Sequence, residues 1–142
     1  MADSTASVTW SGSLLEGGGT IDSVGSGVFG GLPITWDART GEEGGKTTPE
    51  ELIAAAHASC YSMALSHGLA QGGNPPDSLE TSATVTFVPG SGITKIALTV
   101  KGSVPGVDED AFLAAAQDAV ENCPVSKALA AVPEITLDAS LA

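Results

Sequence analysis

Positive charge is what this chain lacks most: five Lys and Arg stand against 17 Asp and Glu, a formal net charge of −12. That excess repels phosphate backbones and anionic lipid, so neither nucleic acid nor a membrane surface is expected as a partner. Arg39 is the only arginine. It is either an accident of the surface or a position where a bidentate, permanently charged fork cannot be replaced by lysine. Cysteine is nearly absent too, with Cys60 and Cys123 alone, which argues against a disulfide framework and for redox, metal or packing roles. Long apolar runs are missing. The longest, residues 52–65, is interrupted by His57, Ser59 and Ser62 and is too short to cross a bilayer. The opening MADSTASVTW has neither the basic nor the apolar region of a signal peptide, so a cytoplasmic location is expected. What remains, 142 residues that are 42% hydrophobic, suffices for one domain over 1–142 with a real core.

Along the chain, residues 6–40 read as β-structure, punctuated by EGGGT, GSG and GG. GSGVFG, residues 25–30, matches G-x-G-x-x-G. It is not a dinucleotide site, because Pro33 and a strand-like ITW follow instead of a helix; a Gly-rich hairpin is the expectation. A polar loop over 41–48 leads to a strong helix start. Thr48 is an N-cap, Pro49 suits the first helical position, and Glu51 completes a capping box. That helix is expected from Pro49 to about Leu69. It is apolar almost all round, and so is expected to be buried on most sides. Residues 78–88 and 93–104 alternate as an antiparallel hairpin with one buried face. Asp108 caps a second helix, Cys123 precedes Pro124 at the start of a short third one, and EITLDASL is a final strand. The order points to α+β.

The two thiols are placed differently. A reactive cysteine needs its thiolate stabilised. Cys123 has the amides of the following helical turn close by, whereas Cys60 lies mid-helix, where burial opposes ionisation and a cation must come from elsewhere. Arg39 is the obvious source. Glu50, ten residues before Cys60, lies roughly 15 Å from it along a helix. The two meet only if two copies of the helix pack antiparallel about a two-fold axis, with Ala54, Ala55 and Ala56 at the centre. This predicts a homodimer with Glu50 of one subunit near Cys60 of the other; the alternative is that Glu50 only serves the first turn's dipole. His57 shares a helix face with Cys60, but no third or fourth ligand appears for a metal, and a hydrogen-bonded structural histidine is the simpler reading. No Ser-His-Asp spacing stands out.

TTPEELIAAAHASCYSMALS and the later CPVSKAL resemble the two signature segments of the OsmC/Ohr family, the osmotically inducible protein C and organic hydroperoxide resistance proteins, which are thiol peroxidases of bacteria. LPITWDAR with its following Gly/Lys-rich loop is similar to the OsmC branch. The resemblance implies an intertwined α+β homodimer, two long central helices held between antiparallel β-sheets. It implies a peroxidase preferring organic hydroperoxides, without metal or other cofactor and recharged by an external dithiol, for which a lipoylated protein is a candidate. By position it implies Cys60 as the peroxidatic and Cys123 as the resolving cysteine, joined in a disulfide during turnover. Arg39 then holds the thiolate and Glu50 orients that arginine. Ile53, Tyr61, Met63 and Phe112 could line a site for an apolar peroxide or simply be core. Two rivals use the same fold: a small-molecule binder with inert thiols, and a redox-responsive interaction protein without turnover.

Overall fold

The computed structural model describes all residues 1–142. The chain divides into two units, Met1–Leu52 and Ile53–Ala142. In the first unit, β1 (Ala6–Ser11), β2 (Gly18–Val24) and β3 (Gly30–Ile34) form an antiparallel sheet in chain order. The Gly25–Gly30 run makes the β2–β3 turn, with Gly27 at φ +73°, so the glycines serve a hairpin. Pro33 sits on β3, which pairs only with β2 in this sheet, and an edge strand tolerates its missing N–H. The expected β-structure stops short of residue 40. Trp36–Arg39 form a single helical turn, α1, because the Thr35 hydroxyl accepts from the Ala38 N–H at 3.2 Å and Asp37 lies in the first turn, where its charge favours the helix.

Helix α2 (Pro49–Gln71) is longer than expected by two residues. Thr48 Oγ1 accepts from the Glu51 N–H at 3.0 Å. Glu51 does not complete the reciprocal half of the capping box, because its carboxylate accepts from the Thr47 hydroxyl at 3.1 Å instead. At the other end, Asn74 N–H bonds Leu69 C=O and Gly73 N–H bonds Ala70 C=O. This paired closure needs a residue in the left-handed region, and Gly73 supplies it at φ +88°.

The second unit continues with β4 (Ser78–Val88), β5 (Gly92–Ser103), α3 (Glu109–Asn122), α4 (Pro124–Ala128) and β6 (Glu134–Leu141). Its sheet runs β4-β5-β6. The β4–β5 pair is the expected antiparallel hairpin, but β6 lies parallel to β5. The α3–α4 segment carries the chain back along the sheet, which returns β6 in β5's direction. Alternate residues of β5, Ile96, Leu98 and Val100, are buried. They join Tyr61, Leu65 and Leu69 of α2 and Phe112, Ala116 and Ala119 of α3 in one core cluster. His57, Tyr61, Leu65 and Leu69 recur every four residues, so one stripe of α2 faces the core. The stripe is pinned by polar contacts as well: Tyr61 Oη donates to Ala116 C=O at 2.9 Å and Ser62 Oγ to Thr81 Oγ1 at 2.8 Å. The expectation that α2 is buried on most sides does not hold within one chain. Ala55, Ala56, Ser59 and Met63 are exposed, Met63 by 74%.

Phe112 closes this core against bare backbone. A Cβ on Gly102 of β5 would lie 2.6 Å from Phe112 Cε2 and 2.7 Å from Cζ. Gly102→Ala therefore forces the fully buried ring out of place and is expected to cost about 1–3 kcal/mol. A urea transition shifted to lower midpoint with unchanged slope checks this; an unshifted midpoint would show that the ring yields freely.

Candidate active site

Each of the four candidate residues is held by a recognisable local device. In the first unit, α1 carries Arg39 and the first turn of α2 carries Glu50. The structure pairs these two with each other. Arg39 Nε and Nη2 donate to Glu50 Oε1 at 3.0 and 2.7 Å. Glu50 is 5% exposed, and its other oxygen, Oε2, is buried with no hydrogen-bond partner. Glu50 therefore does more than favour the helix dipole: it fixes the orientation of the only guanidinium. A cavity of about 150 Å³ opens beside Arg39, lined by Trp10, Leu14, Ile34, Trp36 and Pro49 among others. Sequence reasoning did not anticipate this lining; the signal was the aromatic and aliphatic company of the lone arginine in LPITWDAR. Of the residues considered earlier for an apolar peroxide, Tyr61 and Phe112 are fully buried core and Met63 points outward.

In the second unit, the structure brings Cys60 and Cys123 together. Both are free thiols, Cys60 half-buried and Cys123 buried, and their side chains interact directly. Cys123 ends α3 and begins α4, with extended backbone between the two helices and Pro124 in the first helical position. Its N–H is used by Ala119 C=O at 2.9 Å, and its C=O accepts from the Lys127 N–H at 3.1 Å. The sulfur makes no conventional capping bond. It nonetheless faces a set of donors, and that decides its charge. Burial pushes the Cys123 thiol up, but the Ser126 N–H, the Cys60 thiol, the Ser126 hydroxyl and the Val125 N–H together outweigh it, leaving Cys123 below the ordinary cysteine value. Cys60 moves the other way. Burial raises it, the Val125 N–H offsets part of the rise, and the neighbouring Cys123 raises it further. Of the two thiols, Cys123 is the one that this unit equips to carry charge.

His57, one helical turn before Cys60, is fully buried. Its Nε2 lies 2.7 Å from Ser126 Oγ, while Nδ1 is buried with no hydrogen-bond partner. The expectation of a hydrogen-bonded structural histidine describes the first nitrogen and not the second. Ser126 was missed from the sequence: it is 69 residues from His57, and no local pattern links them.

Comparison with known proteins places these features in a family setting. The family described as OsmC-like protein matches residues 41–138, a span that includes Glu50, Cys60 and Cys123 and begins just after Arg39. Peroxiredoxin OsmC of Escherichia coli (strain K12) is 46% identical over 136 residues, covering 93% of this chain and 92% of that protein. Among solved structures, the organic hydroperoxide resistance protein OhrB of Bacillus subtilis is 25% identical with a TM-score of 0.65, covering 97% of this chain and 98% of that one. An organic hydroperoxide resistance protein OsmC from Legionella pneumophila, 23% identical with a TM-score of 0.69 and covering 97% and 96% of the two chains, shares the fold.

The burial of His57 has a consequence for stability. Desolvation holds its pKa below the ordinary 6.5, so the folded protein keeps the ring neutral where the unfolded chain already binds a proton. Stability from this group is complete above about pH 6.5 and is lost as pH falls from there toward the folded pKa. At fixed protein concentration, the melting temperature is expected to drop between pH 7 and 5, and His57→Gln to flatten part of that slope. An identical slope in the variant would mean that other groups account for the acid sensitivity.

Proposed function

The chain belongs to the OsmC family, and from that premise we propose that it is a cysteine-based peroxidase reducing organic hydroperoxides, and hydrogen peroxide less well, to alcohols. Like its curated relative, it is a peroxiredoxin-type oxidoreductase. The observation that carries the finer reading is the direct contact of Cys60 and Cys123 within one unit. Two thiols in contact can pass reversibly between dithiol and disulfide without a metal or prosthetic group.

The steps follow from the chemistry of the residues. Cys60 thiolate attacks the O–O bond of the hydroperoxide. The bond breaks, the alkoxide takes a proton to leave as alcohol, and the sulfur retains oxygen as sulfenic acid. Cys123 then attacks Cys60 sulfur, forming the disulfide and releasing water. A dithiol, with a lipoylated protein as candidate, restores both thiols by exchange.

The first step needs charge on Cys60, the thiol that its own unit disfavours. We assign that requirement to Arg39, acting across a homodimer in which the Arg39–Glu50 pair of one subunit serves Cys60 of the other. Guanidinium N–H groups favour both the thiolate and the developing alkoxide. The uncovered apolar surface supports such an assembly. In the second unit Met63, Ala55 and Ala56 of α2 are exposed, and in the first Val8, Trp10, Val28 and Phe29 are; bare apolar side chains of this kind are what an interface covers. In this arrangement residues 1–142 act as a single OsmC-like domain, with two α2 helices at the centre. The apolar cavity beside Arg39 suits the organic part of a hydroperoxide.

One equivalent of cumene hydroperoxide added to reduced protein is expected to remove two hydrogens within seconds, mapping to a Cys60–Cys123 bridge that Cys60→Ser abolishes. Thiols still intact after minutes would overturn the assignment. Arg39→Ala should slow peroxide consumption by about 10²–10³-fold, the scale of losing a charge-stabilising donor. A variant of undiminished rate removes Arg39 from the mechanism. Sedimentation equilibrium should return twice the 14.0 kDa chain mass, and a monomer at working concentration would refute the shared site.

A further inference from the structure

Cys123 is fully buried, yet to close a disulfide its sulfur must give up a proton. With 0% exposure the thiol does not face bulk solvent, so its proton must pass first to a group that it touches. One side-chain chain leads away from it: Ser126 Oγ interacts with Cys123 sulfur, and His57 Nε2 lies 2.7 Å from the same Oγ. Ser126 is 7% exposed and His57 0%, so the whole path is dry. We propose that Ser126 and His57 form a proton relay for Cys123 in the step that closes the disulfide, a role that rests on the two-cysteine cycle above.

Three features favour a relay over a static brace. First, the ring can change tautomer. The proton position on a histidine is normally set by the bond its other nitrogen makes, and no protein group bonds Nδ1 of His57. Nothing therefore locks Nε2 as donor or as acceptor. Second, a serine hydroxyl both donates and accepts. With Cys123 as thiol, S–H donates to Ser126 Oγ and its O–H donates to Nε2. With Cys123 as thiolate, the order reverses: Nε2–H donates to Oγ and the hydroxyl donates to sulfur. The same geometry serves both protonation states. Third, desolvation disfavours a protonated His57, so the ring holds the extra proton only while the thiolate is close and readily gives it up again.

The step balances. Cys123 sulfur attacks Cys60 sulfur, the S–S bond forms, and the S–O bond of the sulfenic acid breaks. The Cys123 proton moves to Ser126 Oγ as the serine's own proton moves to His57 Nε2. The hydroxide leaves Cys60 beside Cys123, takes a proton from Ser126 Oγ as His57 returns one to that oxygen, and departs as water. Cys60 and Cys123 are adjacent, and Cys60 stands one turn beyond His57 on α2, so the proton's origin and destination lie at the same end of the relay. The ring ends neutral, and no charge is left in the core.

The test separates the two half-reactions. Reduced protein is mixed with cumene hydroperoxide, quenched at intervals with dimedone to label sulfenic acid, and resolved by mass. The unmodified protein is expected to pass through Cys60 sulfenic acid quickly to the disulfide. Ser126→Ala should form the sulfenic acid but close the disulfide about 10²-fold more slowly, the lower range for positioned proton transfer, so that the labelled species accumulates. Ser126→Thr, which keeps the hydroxyl, should restore closure. His57→Gln should remain slow, because an amide can hydrogen-bond Ser126 but cannot take a proton; a purely structural histidine would be rescued by it. Equal closure rates in Ser126→Ala and the unmodified protein overturn the relay even if His57→Gln fails to fold. Absence of any Cys60 sulfenic acid in the unmodified protein overturns the peroxidase reading beneath it, and the two failures are distinguished by the labelled mass.

Discussion

A cysteine in the middle of a helix cannot draw on its own backbone, since the amides around it are already bonded in the ladder. Everything that gives Cys60 chemical character must therefore be carried to it by other elements. The second unit is arranged around that constraint. The stripe His57, Tyr61, Leu65 and Leu69 binds α2 to the core. Tyr61 ties it to α3 by a bond to a carbonyl, and His57 ties it to the start of α4 through Ser126. Cys60 lies beside this stripe, where the junction of α3 and α4 delivers Cys123 and the Val125 N–H. Without the junction Cys60 would be an ordinary packing residue.

The junction also creates an asymmetry between two chemically identical groups. Donors converge on Cys123 and burial dominates at Cys60, so their pKa values part in opposite directions. The causes are local: burial, and the amides, hydroxyl and thiol beside the two sulfurs. For a two-cysteine cycle the asymmetry is useful. In the proposed cycle Cys123 would strike the oxidised partner, and the donors around it favour its thiolate. In that cycle Cys60, which burial disfavours as a thiolate, would need a cation from another element before it met the peroxide.

Features set by neighbouring residues were legible in the sequence. The Thr48 cap, the Asp108 cap, the Cys123–Pro124 helix start and the Gly-rich hairpin each depend on a few consecutive positions. The α+β class followed from their order. What was not legible depended on partners distant in sequence. A four-residue helix such as α1 carries too few positions to show a period. The parallel pairing of β6 depends on the path of a crossover. The His57–Ser126 contact spans 69 positions. The orientation of α2 was hidden for another reason: Ala, Ser and Met on one face differ too little in polarity from Ala, Tyr and Leu on the other to mark which face is buried. Cys60 and Cys123 were singled out because they are rare, and Arg39 because it is alone, not because spacing revealed their geometry.

The solitary arginine is held in a defined geometry. Arg39 spends two N–H groups on one oxygen of Glu50 and leaves the second oxygen buried without a partner. An unpaired buried acceptor costs on the order of 1–3 kcal/mol. The arrangement makes sense if orientation is what is being secured. A planar guanidinium held along one edge has a fixed plane, whereas a lysine ammonium on the same carboxylate would keep its rotational freedom. Four lysines occur in this chain, and none of them could replace that geometry. The pairing thus fixes the plane of the only guanidinium the sequence contains.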